Sequence, residues 1–250
     1  MKILVAMLVI ATAMVSPDAA LAQALKLSDF ISTGDAPTTG RIVQMIVAIT
    51  LLSIAPGLLM MVTCFTRFII VFSFLRFGLG LQTTPSNLIL ISLALFLTSF
   101  VMAPTFEKSW ENGLQPLLEK KLTEEVALPR MTEPFKEFMK VNVRPQDLRT
   151  FAELGGPRLK LAEGQAGDDL RILIPAFMVS ELKRGFEIGF LIVLPFLVID
   201  LIVATVLMAM GMMMMPPTPF ALPMKVLFFV LIDGWTLLVG GLVRSFALTP

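Results

Sequence analysis

Four long apolar segments follow one another along the chain, at residues 42–75, 88–103, 186–215 and 224–243. Apolar runs of this length are typical of membrane-type helices rather than of strands. As continuous helices, the first segment would rise ~51 Å and the third ~45 Å, whereas the hydrocarbon core of a bilayer is roughly 30 Å thick. The pattern therefore predicts helices that pack against other protein rather than four ordinary lipid-facing spans.

Proline and glycine mark where these helices bend or turn. Pro56 and Pro195 lie inside the first and third segments, and each is expected to kink its helix by removing a backbone hydrogen bond. The stretch FGLGLQTTPSN, residues 77–87, separates the first two segments and predicts the tip of a hairpin. The predicted fold class is all-α, made of long kinked membrane-type helical hairpins.

Residues 104–185 have a different composition from the apolar segments. They contain 13 of the 20 basic residues and 13 of the 19 acidic residues, so this part of the chain is well solvated and nearly neutral. Apolar residues recur at i, i+3 and i+4 in 135–139 and again in 148–152, which indicates short amphipathic helices. Asp168 or Asp169 is the expected N-cap of the helix that leads into the third apolar segment.

The N-terminus has the pattern of a secretory signal peptide. Lys2 precedes a short apolar core, and Ala20-Leu21-Ala22 forms an A-x-A site, so cleavage is predicted after Ala22. The alternative is a first membrane anchor, but the apolar core is short for a span. Cleavage would place residues 104–185 in the periplasm. The predicted divisions are 1–22 signal peptide, 23–41 polar lead, 42–103 first hairpin, 104–185 helical periplasmic segment, and 186–250 second hairpin with a methionine-rich loop at 208–219.

Composition and charge exclude several function classes. Hydrophobic residues make up 56% of the chain and charged residues 16%, which favours membrane insertion or burial in a large apolar assembly. The formal net charge is +1, so nothing indicates a nucleic-acid partner. The chain has no histidine, and no nucleotide, metal or other cofactor motif is recognisable. We predict no catalytic residue, no cofactor and no metal.

Two carboxylates in the apolar segments are the candidates for chemistry. Asp200 and Asp233 would be costly at bilayer depth, so each must be neutral, paired or facing a wet cavity. Structural pairing is the favoured interpretation, with Arg67, Arg76 or a neighbouring chain as partner. The alternatives are a proton-coupled small-solute transporter that uses both aspartates and an intramembrane aspartyl protease.

A run of methionines ends the third apolar segment. Met212, Met213, Met214 and Met215 stand in succession before Pro216 and Pro217. A flexible hydrophobic turn is one interpretation. The other is a soft seal around an axis, because methionine is unbranched and adapts to changing partners.

Long stretches of the sequence resemble the FliP family of the bacterial flagellar type III export gate. They are TRFIIVFSFLRFGLGLQTTPSN at 66–87, LALFLTSFVMAP at 93–104, LIPAFMVSELKRGFEIGFLIVLPFLVIDLIVATVLMAMGMMMMPP at 173–217 and LPMKVLFFVLIDGW at 222–235. The similarity in order and spacing runs from about residue 42 to the C-terminus. Phe77-Gly78 stands where the family has a glutamine-alanine pair, and Met215 extends the usual three methionines to four.

The resemblance implies a non-catalytic subunit of the export gate in the bacterial inner membrane, at the flagellar basal body. Family members form a pentamer that joins FliQ and FliR, alongside other flagellar export apparatus proteins, in a channel for unfolded rod, hook and filament proteins. Met212, Met213 and Met214 then correspond to the family's pore gasket, with Met215 adjoining. Glu181, in Ser180-Glu181-Leu182, matches a position at subunit contacts. The predicted signal peptide favours the flagellar branch over injectisome relatives.

Overall fold

A computed structural model of the chain describes residues 60–159, 167–212 and 215–246, together with positions 45, 46, 49, 50, 53 and 57. The predicted signal peptide with Ala22, the lead at 23–41, Pro56, Met213 and Met214 lie outside the described residues. Residues 1–58 and 59–250 form two separate units. The six described positions of the first unit are helical, and the helices below belong to the second unit.

The described part of the second unit consists of helices and turns without a strand, which confirms the all-α prediction. Eight α-helices follow in order: α1 Phe65–Gly78, α2 Asn87–Ser109, α3 Gln115–Leu118, α4 Glu124–Asn142, α5 Pro145–Leu159, α6 Leu170–Ala209, α7 Thr218–Leu231 and α8 Gly234–Arg244. A π-helix, Trp110–Leu114, joins α2 to α3. The predicted hairpin tip lies between α1 and α2, as expected from its glycines and proline.

Helix α6 is the longest helix among the residues that the structure describes. Its 40 residues rise about 60 Å. The side chain of Asp169 accepts a hydrogen bond from the backbone N–H of Arg171 at 2.9 Å, so Asp169 is the N-cap. Hydrogen bonds from the Arg171 side chain and backbone lower the pKa of Asp169 to about 2, which keeps the cap ionised at neutral pH. The helix continues through Pro195 and across the predicted division at 185/186.

The fourth apolar segment differs from the single helix that its hydropathy suggests. It contains two helices, α7 and α8, which are bent by 63° at a short break. Asp233 adopts a left-handed φ of 51°, and the following Gly234 packs so closely that an added Cβ would lie 2.2 Å from the ring of Phe229. Aspartate tolerates the left-handed conformation better than most residues, and glycine allows the close approach. The bend is therefore encoded in Asp233-Gly234.

Helices α1 and α6 pack along a line of glycines. A Cβ on Gly185 would lie 3.1 Å from Ile70, and one on Gly189 would lie 2.6 Å from the ring of Phe74. These two glycines are four residues apart, so they occupy one face of α6 and let the backbone of α1 approach closely. This G-x-x-x-G spacing is present in the sequence, but hydropathy alone does not register it.

The polar segment packs its predicted apolar faces against the same core. Phe138 and Met139 of α4 are fully buried, and Leu148 and Phe151 of α5 are half-buried against the cluster. The ring of Phe138 makes an edge-on contact with Phe177 of α6 at a centroid distance of 6.0 Å. The amphipathic helices predicted from the i, i+3, i+4 spacing are therefore confirmed.

Two helical stretches of the described residues are long and apolar enough to cross a membrane. One runs from Asn87 to Leu118 through the π-helix, and the other is α6. The bent pair α7–α8 would be a third if it counts as one span. Within α6, residues 188–199 are uncharged and mostly apolar. After Asp200, the uncharged sequence continues to Ala209.

Replacing Gly189 by alanine should destabilise the fold. The added methyl group would meet the Cβ and ring of Phe74 rather than a flexible side-chain end, so α1 and α6 would have to separate. We expect a loss of about 1–3 kcal/mol in the free energy of unfolding, measured by denaturant titration in a mild detergent. Gly241→Ala is the matched control, because no atom lies within 4 Å of its added Cβ. Equal stability of both variants would contradict close packing at Gly189.

Candidate functional site

Arg67 and Glu181 form a fully buried ion pair between α1 and α6. Arg67 Nε donates to Glu181 Oε2 at 2.8 Å, and Arg67 Nη2 lies 2.5 Å from Glu181 Oε1. Both side chains are 0% exposed. The two parallel contacts match the planar guanidinium to the planar carboxylate, which is the strongest geometry available to such a pair.

The same arginine also holds the C-terminal end of α8. Its Nη1 donates to the hydroxyl of Ser245 at 2.8 Å and to the Ser245 carbonyl at 3.1 Å. The guanidinium carbon lies 3.6 Å from the centroid of the Phe246 ring, a cation–π contact. Arg67 therefore joins three parts of the chain that are far apart in sequence. The sequence suggested Arg67 as a possible partner of Asp200 or Asp233, whereas in the structure it contacts Glu181, Ser245 and Phe246.

Ser180, the neighbour of Glu181, connects α6 to the polar segment. Its hydroxyl donates to Asp147 Oδ2 and to the carbonyl of Ala176, both at 2.8 Å, and accepts from the backbone N–H of Arg144 at 3.1 Å. The hydroxyl has one proton, so the two donated bonds share it. Ser180 and Glu181 thus fasten α6 to the α4–α5 junction and to α1 respectively. The structure places Glu181 inside its own chain, and a contact with a neighbouring subunit stays a prediction.

Asp200 has a lysine as its partner. Lys225 Nζ of α7 lies 2.6 Å from Asp200 Oδ2 of α6. The lysine side chain is 8% exposed and the aspartate side chain 42% exposed. Structural pairing, the favoured interpretation, therefore applies to Asp200, although neither Arg67 nor Arg76 is the partner. The sequence pattern does not point to Lys225 as the partner, because it is 25 residues away and lies at the start of an apolar segment.

The other two predicted charges lie at turns. Asp233 is exposed at the bend between α7 and α8, where its side chain makes no capping hydrogen bond. Its role in the structure is to supply the left-handed backbone conformation. Arg76, in the last turn of α1, donates to Asn87 Oδ1 at 2.5 Å and more weakly to the carbonyl of Pro85 at 3.5 Å. This contact spans the predicted hairpin tip.

The methionine turn, residues 208–219, begins with a well-formed helix stop. Gly211 has a φ of 78°, its N–H donates to the carbonyl of Met208, and the N–H of Met212 donates to the carbonyl of Leu207, both at 3.0 Å. This pair of bonds is the Schellman motif, which favours glycine at the left-handed position. The motif ends α6 at Ala209, so the third apolar segment is not helical as far as Met215.

The side chains of the methionine turn face outward where they are described. Met212 and Met215 are exposed, and so are Met208 in the last turn of α6 and Met210, which follows the end of that helix. Helix α7 then begins at Thr218, with Pro219 in its first turn. The described side chains of Met212 and Met215 therefore present flexible thioethers between the Schellman motif and the start of α7.

Among the described residues, no group of three histidine, cysteine, aspartate or glutamate side chains has the arrangement of a metal site. The paired charges and the methionine turn are consistent with structural and binding roles.

Comparison with known proteins identifies the family. The model of the FliP family matches residues 48–242. The chain is 54% identical over 237 residues to the flagellar biosynthetic protein FliP of Agrobacterium fabrum (strain C58), covering 95% of this chain and 97% of that protein. It is 56% identical over 223 residues to the protein of the same name from Rhizobium meliloti (strain 1021), covering 88% and 90%. The FliP of Bacillus subtilis (strain 168) is 45% identical over 223 residues, covering 88% of this chain and 100% of the relative. The matched range contains the Arg67–Glu181 and Asp200–Lys225 pairs and residues 208–219. The chain therefore belongs to the FliP family.

Proposed function

We propose that this FliP-family chain, a component of flagellar export, is a non-catalytic subunit of the export channel. It would assemble with further copies of itself, as a pentamer by family resemblance, and with FliQ and FliR. Unfolded rod, hook and filament proteins would pass through the assembly. The proposal places it in the inner membrane at the basal body, with residues 104–185 in the periplasm. The family match over residues 48–242 carries this proposal.

Exposed apolar side chains support assembly rather than a solitary membrane protein. On α6, apolar side chains such as Phe190, Leu194 and Leu201 are exposed along much of the length. Within residues 104–185, Leu128 of α4 and Leu154 of α5 are 65% and 68% exposed. Lipid cannot account for exposed leucines in a well-solvated segment, whereas contact with other subunits can.

The oligomeric mass of the detergent-extracted chain tests the proposal. We expect a discrete ring-sized complex that takes up FliQ and FliR when they are co-expressed. Leu128→Asp and Leu154→Asp should reduce the yield of this complex, because a charge in a subunit interface lacks a partner. Lys121→Asp, at an exposed charged position of the same segment, is the control. A stable monomer or dimer that is indifferent to both partners would refute the proposal.

We further propose that the methionine turn closes the channel, with Met212, Met213, Met214 and Met215 as its gasket. Support comes from the exposed side chains of Met212 and Met215 and from the Schellman motif, which sets the start of the turn. Flexible thioethers from several copies can fill an irregular gap at an axis and move aside for a polypeptide.

Replacing Met212, Met213 and Met214 together by alanine should leave assembly intact and make the membrane leaky. Alanine removes the side chains that fill the gap but keeps the helix stop, since Gly211 is unchanged. The measurement is ion and small-solute leakage from cells or proteoliposomes that contain the assembled complex. Met224→Ala removes an exposed methionine from α7 and should cause no leak. If the triple alanine variant leaked no more than the unchanged complex and secreted normally, the result would favour the hydrophobic-turn interpretation.

A further inference from the structure

An apolar pocket lies between the α1–α2 hairpin tip and the bend of α7–α8. Its volume is about 230 Å³, and its walls include Phe72 and Leu75 of α1, Leu90 of α2, Phe229 of α7 and Trp235 of α8. Arg76 is the charged residue of its lining. This volume is below the roughly 300–1,000 Å³ of sites for drug-sized ligands but leaves room for a short segment of hydrocarbon chain.

The charge of Arg76 has no carboxylate partner among the residues that the structure describes. The described contacts of its guanidinium are those of Nη1 with the neutral side chain of Asn87 and with a backbone carbonyl. Arginine presents five N–H donors, so the remaining edge of the guanidinium is available to an anion. Its planar fork suits a phosphate in particular.

The surroundings of Arg76 also favour an anion. Helix α2 begins at Asn87, next to Arg76, and its first turn contains no acidic residue. Ser86 precedes it as the N-cap residue without a side-chain cap hydrogen bond. The unpaired N–H groups at the start of a 23-residue helix attract negative charge. These N–H groups reinforce the attraction of Arg76 for an anion, but without the pocket they would not form a binding site.

Several exposed apolar side chains are close in sequence to residues that line the pocket. Val230 of α7 lines the pocket and is exposed, and the exposed Phe77, Leu88 and Leu231 lie within two residues of the lining residues Arg76, Leu90 and Val230 respectively. Such a surface, with a tryptophan and an arginine at the end of membrane-type helices, is typical of the boundary between hydrocarbon and headgroups. A phospholipid has the matching combination of apolar chain and anionic head.

We propose that this pocket binds an anionic phospholipid. A segment of one acyl chain lies against Phe229 and Trp235, and the headgroup phosphate accepts hydrogen bonds from Arg76 beside the start of α2. The contact is non-covalent. This binding site is additional to the proposed channel function, because it requires only the single chain in a membrane or micelle.

Quenching of Trp235 fluorescence by brominated lipids tests the proposal. The chain has two tryptophans, and Trp110 lies at the opposite end of α2, about 34 Å along the helix. In the full-length Trp110→Phe variant, Trp235 is the single reporter. We expect half-maximal quenching at about fivefold lower concentrations of acyl-brominated phosphatidylglycerol than of the corresponding phosphatidylcholine in mixed micelles.

Charge variants then separate headgroup recognition from general contact with lipid. Arg76→Gln should remove the preference for phosphatidylglycerol, whereas Arg244→Gln, which removes a cation outside the pocket lining, should keep it. In the Trp235→Phe variant, Trp110 should be quenched equally by both lipids. Glycerol phosphate at matched concentration should not displace the lipid, because it lacks the acyl chain.

Three results of the micelle assays would overturn the proposal. They are equal quenching by both lipids in the single-tryptophan chain, a preference that survives Arg76→Gln, and full displacement by glycerol phosphate. Protection of Trp235 from both lipids in the assembled complex would also overturn it, in favour of a neighbouring subunit as the occupant. Because the first assays use the single chain, their failure leaves the proposed assembly with FliQ and FliR unaffected.

Discussion

Removing either partner of the Arg67–Glu181 pair should cost about 3–5 kcal/mol in the free energy of unfolding. Both side chains are 0% exposed, so Arg67→Ala would leave the Glu181 carboxylate buried without its counter-ion, and Glu181→Ala would leave the guanidinium unpaired. Arg67→Ala should be the more damaging change, since it also removes the contacts with Ser245 and Phe246. Denaturant titration of the detergent-solubilised chain measures the loss.

Two control variants make this prediction specific to burial. Arg144→Ala breaks an ion pair with Glu187 whose side chains are 26% and 55% exposed, and such a pair contributes only about 0–1 kcal/mol. The double variant Arg67→Met/Glu181→Leu removes both charges and should be less destabilised than either single alanine variant. If the Arg67 and Glu181 variants lost no more stability than Arg144→Ala, the buried pair would not be holding α1 to α6.

Replacing Asp200 by alanine should reduce membrane insertion and assembly more than replacing Lys225. The Lys225 side chain is 8% exposed, so without Asp200 its ammonium group is left unpaired in an apolar setting. A lone charge at the centre of a membrane helix costs about 2.5–3.5 kcal/mol on insertion scales. Asp200, at 42% exposure, retains access to water when Lys225 is lost. The amount of membrane-inserted protein and the yield of the oligomer are the measurements.

The double variant Asp200→Ala/Lys225→Ala should recover much of the lost yield, because neither charge remains unpaired. Asp233→Ala is the contrasting variant, since Asp233 is exposed and makes no ion pair in the described structure. It should act through the bend of α7–α8 and should not depend on Lys225. Normal assembly of the Asp200 and Asp233 variants, combined with loss of a pH-dependent flux, would instead favour the transporter alternative.

Much of the fold follows from patterns that are local in sequence. Apolar periodicity predicted α4 and α5, and Asp169 was one of two predicted caps for α6. The hairpin tip followed from its glycines and proline. These predictions succeeded because a helix, a cap or a turn depends on residues within a few positions of each other. Hydropathy failed at Asp233-Gly234, where one apolar run contains two helices, because hydropathy does not register a left-handed residue or a close contact with Phe229.

Sequence patterns predicted only part of the candidate site. The sequence marked Asp200 and Asp233 as charges that needed a partner, since ionised groups rarely occur in apolar helices without one, and the family resemblance pointed to Glu181. It did not identify the partners. Glu181 lies 114 residues from Arg67, Ser245 lies 178 residues away, and Lys225 lies 25 residues from Asp200.

The sequence by itself therefore determined the all-α class, the apolar helices, the hairpin tip between α1 and α2, and, through its resemblance to relatives, the FliP family. Each of these depends on neighbouring residues or on the order of residues along the chain. Only the tertiary structure decided which charges pair, where α7 bends away to α8, and that Arg76 borders an apolar pocket. Those features arise where segments that are distant in sequence meet. Gly185 and Gly189, for example, let α1 and α6 approach closely enough for Arg67 to reach Glu181.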